Sequence, residues 1–97
     1  MAVARTNIHE SRTYITQRSP FNANGTFTGG AVNRGTGRLP QEYVASFREA
    51  AAADDFYAVY SYVTPIAWYA NGVWTRPAAK YSVTTSRHQG AVNYAIA

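Results

Sequence analysis

From Leu39 the apolar positions recur with a helical period. Tyr43, Val44, Phe47, Ala50 and Ala51 fall three and four apart, on one face of a helix. Pro40 suits the first helical position, because its missing N–H would be unpaired there anyway. Glu42 favours the positive end of the helix dipole, and Ala50 to Ala53 add propensity. Asp54 and Asp55 are unfavourable at a helix C-terminus, so the helix is expected to end near Ala53. At Phe56 the period changes to two. Phe56, Ala58, Tyr60 and Tyr62 alternate with Tyr57, Val59, Ser61 and Val63, as on the two faces of a strand. Pro65 interrupts, and Ile66 to Ala70 form a second run. Asn71-Gly72 is a strong hairpin signal, because both residues tolerate positive φ. Val73 to Arg76 return, in a register that sets Tyr69 opposite Trp74 and Trp68 opposite Thr75. Ala79 to Thr84 predict a fourth strand, and Ser86 to Ala97 a short helix capped by Thr85 or Ser86.

The front of the chain has another texture. Residues 1–38 are rich in Asn, Thr, Gly, Ser and Arg, with turn signals at Asn24-Gly25, Gly29-Gly30 and Gly35-Thr36-Gly37. Tyr14, Ile15, Phe21 and Phe27 are scattered through them, more apolar surface than a plain linker needs. Thr13 to Thr16 and Thr26 to Thr28 suggest two short strands. The expected fold is α+β: a basic Gly/Asn-rich N-terminal arm, one helix, a four-stranded antiparallel meander and a short C-terminal helix. Residues 1–38 form the arm, with room for a short hairpin. Residues 39–97 form the core, and the whole is a single domain.

Composition narrows the function classes. Ninety-seven residues suit one domain with one modest core. There is no cysteine, which excludes a disulfide scaffold, a thiolate metal site and cysteine catalysis. No apolar run approaches membrane-spanning length and no signal peptide is recognisable, so a cytoplasmic protein is expected. Leu39 is the sole leucine, so aromatics, Val, Ile and Ala must build the core. The net charge of +4 lies wholly in the front segment, where Arg5, Arg12, Arg18, Arg34 and Arg38 face only Glu10. An acidic nucleic-acid mimic is excluded, and attraction to phosphate or to an acidic protein face is expected. Arginine supplies all but one of the basic residues, which suits bidentate contacts to phosphate or carboxylate.

The densest polar stretch is Lys80 to Gln89. Lys80, Thr84, Thr85, Ser86, Arg87, His88 and Gln89 together offer hydroxyls, cations and a helix start to an anion or a partner. The same hydroxyls also serve as ordinary helix caps. Trp68, Tyr69 and Trp74 suggest an aromatic platform on an uncovered sheet face, for bases or for a protein. They serve equally well as core. No catalytic residue, metal ligand set or cofactor motif is identified. Ser86, His88 and Asp54 or Asp55 supply the types of a hydrolytic triad, but nothing resembles a nucleophile elbow. His9 and His88 lack ligand spacing, and the Gly-rich runs lack a following Lys-Ser/Thr.

Val59-Tyr60-Ser61-Tyr62, Thr64-Pro65-Ile66-Ala67-Trp68 and Lys80-Tyr81-Ser82-Val83-Thr84-Thr85-Ser86-Arg87-His88-Gln89 resemble a widespread family of small phage and mobile-element proteins without an established activity. Val63 stands where those relatives often carry Gly or Ser. The resemblance implies phage origin, a bacterial cytoplasm and a non-enzymatic accessory role. The leading expectation is a non-catalytic phage accessory protein that binds a host or phage macromolecule, a protein before a nucleic acid, such as a component of defence or of nucleic-acid processing. The alternatives are a direct nucleic-acid binder, using the Arg-rich arm and exposed aromatics, and a virion or assembly component. No membrane partner is expected, and the oligomeric state is open.

Overall fold

In the computed structural model of the protein, which describes residues 3–77 and 83–96, Phe21 and Phe27 are both fully buried. The front segment is therefore no arm. It supplies half of one continuous sheet: β1 (Ala4–Thr6), β2 (Phe21–Ala23) and β3 (Phe27–Gly30), with helix α1 (Ser11–Gln17) between the first two strands. Then come helix α2 (Gln41–Ala51), the strands β4 (Tyr57–Ser61), β5 (Thr64–Ala70) and β6 (Val73–Thr75), and helix α3 (Val83–Ile96). The strands lie in sequence order from β1 to β6. β1 and β2 run parallel, joined through α1; every other pair is antiparallel.

The expected four-stranded antiparallel meander is thus replaced by a six-stranded mixed sheet with three helices among the described residues. The reason lies in how little sequence a short inner strand needs. β2 spends only Phe21 and Ala23 on the core, and β3 only Phe27 and Gly29. Asn22, Thr28 and Gly30 beside them are half-buried and Asn24 and Gly25 exposed, so the local composition still reads as loop. Asn24-Gly25 closes that hairpin. Gly29 is required by space: Tyr57 Oη stands 2.5 Å from where a Cβ would be, and the Phe21 ring crowds the same point. Thr13 to Thr16, expected in a strand, lie in α1, where Ile15 is fully buried.

The back half keeps more of its expected form. α2 spans Gln41–Ala51 with Pro40 one place before it, and buries Val44, Phe47 and Ala50. Trp68 pairs with Thr75 and Tyr69 with Trp74 across the Asn71-Gly72 turn. Asp55 accepts hydrogen bonds from the N–H groups of Asn71 at 2.7 Å and Gly72 at 3.1 Å. The bond from Asn71 is the main cause of its lowered pKa. Of the expected fourth strand, residues 79–82 lie outside the described residues, while Val83 and Thr84 belong to α3. α3 therefore starts before the expected Ser86 cap, which becomes an interior helical residue.

The sheet separates two cores. On one face α2 covers Phe56, Ala58, Tyr60, Trp68 and Ala70 with Leu39, Val44, Phe47 and Ala50. On the other, Ile15 of α1 and Ala91 and Val92 of α3 cover Phe21, Phe27, Tyr57, Val59 and Ala67. A register shift between Val59 and Tyr60 places Ile66 in that second core beside Ala67, as a bulge does. With both faces covered, β4 is buried at every position.

Candidate functional site

One end of the sheet combines exposed apolar side chains with a polar cleft. There β4 turns into β5 through Tyr62 and Val63, the loop 31–40 crosses toward α2, and α3 begins. Ser61 pairs with Thr64, leaving Tyr62 and Val63 as the two turn residues. Neither is a common turn residue. Tyr62 has φ 58, a left-handed conformation that costs a non-glycine residue about 1–2 kcal/mol. Its N–H donates to the carbonyl oxygen of Thr26 at 2.6 Å, which ties the turn to the β2–β3 hairpin. Tyr62 is 53% exposed and Val63 64% exposed.

The loop 31–40 is pinned by two buried side chains. The Tyr60 hydroxyl donates to the Val32 carbonyl at 2.6 Å and accepts from the Arg34 N–H at 2.9 Å. Burial raises the Tyr60 pKa, opposed in part by the contacts from Arg34, so the phenol stays neutral. The Thr64 hydroxyl oxygen accepts from the Arg38 N–H at 2.9 Å. Gly37, at φ 47, lies so close to the turn that a Cβ there would sit 2.5 Å from Thr64 Oγ1 and 2.6 Å from the Val63 carbonyl oxygen. These contacts deliver Arg38 to a cleft of about 460 Å³. Ser61, Thr64, Thr84 and Thr85 supply hydroxyls to its walls, and Tyr62 and Val63 form its lip.

Beneath the cleft lies a buried polar chain. Ser61 Oγ is 2.7 Å from His88 Nδ1 and 2.9 Å from Thr85 Oγ1. All three residues are buried, His88 to 1% exposure. The imidazole stacks flat on Phe27, with ring centroids 4.5 Å apart and planes 11° from parallel. Desolvation lowers the His88 pKa, so the ring is neutral at pH 7. A neutral ring accepts at one nitrogen and donates at the other. With Nδ1 as acceptor, protons point from Thr85 to Ser61 to His88. With Nδ1–H as donor, the two Ser61 contacts reverse.

The other anticipated residues are dispersed. The Arg12 guanidinium lies 4.0 Å over the Tyr94 ring, and that of Arg18 lies 4.2 Å over Tyr69. Arg5 is on the edge strand β1, Arg34 on the loop. Thr84, Ser86 and Arg87 are exposed on α3, and Gln89 is half-buried. Lys80 lies outside the described residues. Trp68 is 1% exposed, packed edge-on against Phe47 beneath α2. Tyr69 and Trp74 meet edge-to-face at 5.5 Å, half-buried. The three rings therefore do not share one open face. Ser86, His88 and an aspartate do not assemble either: Asp55 sits at the Asn71-Gly72 turn, at the far end of β5 from His88. Among the described residues no three metal-ligating side chains converge.

Sequence reasoning missed Ser61, Tyr62, Val63 and Thr64. A signal was present, in that Pro65 breaks the strand pattern just after them. Yet the turn carries no Gly, Asn or Asp to mark it.

A family of unknown function, DUF8033, matches residues 7–95. The chain belongs to this family. The match runs from before α1 to the last turn of α3, so the family domain includes both cores and the cleft. No curated protein and no solved structure matches the chain. No helix among the described residues is long and apolar enough to cross a membrane.

Proposed function

We propose that this DUF8033 member acts by binding rather than by catalysis, and that its partner is a host or phage protein held at the cleft end of the sheet. The observation that carries this reading is the Tyr62–Val63 tip. Two adjacent apolar residues are more than half exposed, one of them in a disfavoured backbone conformation, at the mouth of a cleft that holds an arginine. Exposed aromatic and apolar side chains beside a cation are the composition of protein-contact surfaces. Strain retained at an exposed tip supports a functional reading of it. The phage origin, the bacterial cytoplasm and the accessory role rest on the resemblance of the Val59–Tyr62, Thr64–Trp68 and Lys80–Gln89 segments to phage proteins.

A protein partner is favoured over nucleic acid by what the front arginines already touch. Two of the five in the front segment lie over tyrosine rings of their own fold. The binding role is favoured over hydrolysis because His88 is buried against Phe27 and no carboxylate among the described residues orients it.

The test is capture of partners from bacterial lysate on the tagged protein, with nuclease and across a salt series, using the wild type and Tyr62→Ala. One protein retained by the wild type through nuclease and salt, and lost with Tyr62→Ala, supports the reading. Recovery of nucleic acid that falls steeply with salt sinks it in favour of phosphate-backbone binding. Recovery chiefly within purified phage particles sinks it in favour of an assembly role.

A further inference from the structure

We infer that the cleft between Arg38, Thr64 and the start of α3 is an oxyanion site, taking a carboxylate or phosphate group. This deepens the binding role proposed above and rests on it only for the source of the anion. Three observations carry it. First, Arg38 is the one charged side chain among the described residues that line the cleft. Its backbone is held by Thr64 and its guanidinium forms no ion pair among the described residues, so the charge is placed but not neutralised.

Second, the Thr64 hydroxyl has an unused proton. Thr64 is 6% exposed and lines the cleft, and its oxygen already accepts from the Arg38 N–H. That contact leaves its O–H to donate, and the described structure provides no acceptor for it. A hydroxyl proton that lines the cleft with no protein acceptor among the described residues is free to donate to a bound oxyanion.

Third, the remaining polar lining is hydroxyl. Thr84 and Thr85 face the cleft with Ser61, and no described carboxylate does. A cation beside the Thr64 and Thr84 hydroxyls, with no described acid, favours an anion over a metal ion or an ammonium group. The guanidinium also matches the two-oxygen edge that carboxylate and phosphate share.

The experiment is a titration of the whole chain, followed by amide NMR at fixed ionic strength. Inorganic phosphate is one probe, acetate a second, and chloride the control; the variants are Arg38→Gln, Thr64→Ser, Arg34→Gln and Tyr62→Ala. Phosphate, acetate or both should produce saturable shifts at Thr64, Thr84 and Thr85, and the tighter of the two identifies the source of the anion. Arg38→Gln should weaken binding roughly tenfold, as expected for loss of a hydrogen-bonded charge. Thr64→Ser, which keeps the hydroxyl, should retain it. Arg34→Gln removes an arginine from the same loop but not from the cleft, and should also leave binding intact. Equal losses in both arginine variants, or shifts that track chloride, would overturn the site. If Tyr62→Ala keeps anion binding while the wild type captures no protein partner, the oxyanion site stands and the proposed function falls. If a partner is captured but neither anion saturates, the proposed function stands and the oxyanion site falls.

Discussion

The two faces of the sheet are built on different principles. Under α2 the packing is wholly apolar: Phe47 meets Phe56, Tyr60 and Trp68 edge-on, at 5.8, 6.4 and 5.2 Å. The Tyr60 hydroxyl points out of that core to hold the loop 31–40. Under α1 and α3 the aromatic packing continues through Phe21 and Phe27 but ends in the polar chain of His88, Ser61 and Thr85. The cleft lies over that polar end. The contrast separates a face that only stabilises from a face that also positions hydroxyls at an opening. Apolar packing is insensitive to pH and tolerant of solvent changes at the surface. A buried polar chain stabilises only while every member keeps its partner.

The largest break in the comparison should come from Phe47→Ala. It removes the ring on which three other aromatics pack, and should cost about 3–5 kcal/mol in urea unfolding. Binding at the cleft should survive in whatever fraction remains folded. His88→Phe should cost less, roughly 1–3 kcal/mol, since the stack on Phe27 is largely kept while Ser61 loses a partner. A neutral or stabilising result would show that the Ser61–His88 contact contributes nothing.

The same histidine predicts a pH dependence confined to one face. Its folded pKa lies below the unfolded value, because burial disfavours the charged ring. At pH below the unfolded value of 6.5 the unfolded chain takes up a proton that the folded chain refuses. Stability is therefore full above that value and lost as pH falls through the folded pKa. Unfolding midpoints should decline over that window in the wild type, and the part due to His88 should disappear in His88→Phe. An unchanged slope would assign the acid sensitivity to other groups.

The smallest effect sharpens the comparison most. Tyr62→Gly relieves the positive φ at the tip and should stabilise the fold by about 1 kcal/mol, while partner capture falls. A loss of stability instead would mean that the exposed ring contributes more by packing than its backbone costs.

The parts of this fold that were legible are those where local chemistry and tertiary placement agree. Tyr43 to Ala51 show a helical period because a single face of α2 is buried. Asn71-Gly72 sets the β5–β6 register because a two-residue turn leaves little other choice. The alternation in β4 was equally visible, but it suggested a face left open. Both faces of the sheet are covered there, so Trp68 on the neighbouring β5 lies in the core instead of on a platform.

The site was half legible. Lys80 to Gln89 stood out by its hydroxyls and cations, and Thr84, Thr85 and His88 do lie at or under the cleft. Their partners on β4 and β5 did not stand out, because a serine and a threonine in a strand are unremarkable until a helix is laid across them. The sequence alone determined that aromatics must form the core, that positive charge gathers at the front and that α2 and the last hairpin exist. Only the tertiary structure decided that the polar front segment is sheet. A strand this short needs two buried side chains and neighbours to pair with, and one of the two neighbours of β3 lies some thirty residues away on β4. Long-range pairing of this kind leaves no local period to read. The same holds for Ser61 and His88, brought to 2.7 Å only when α3 packs on the sheet.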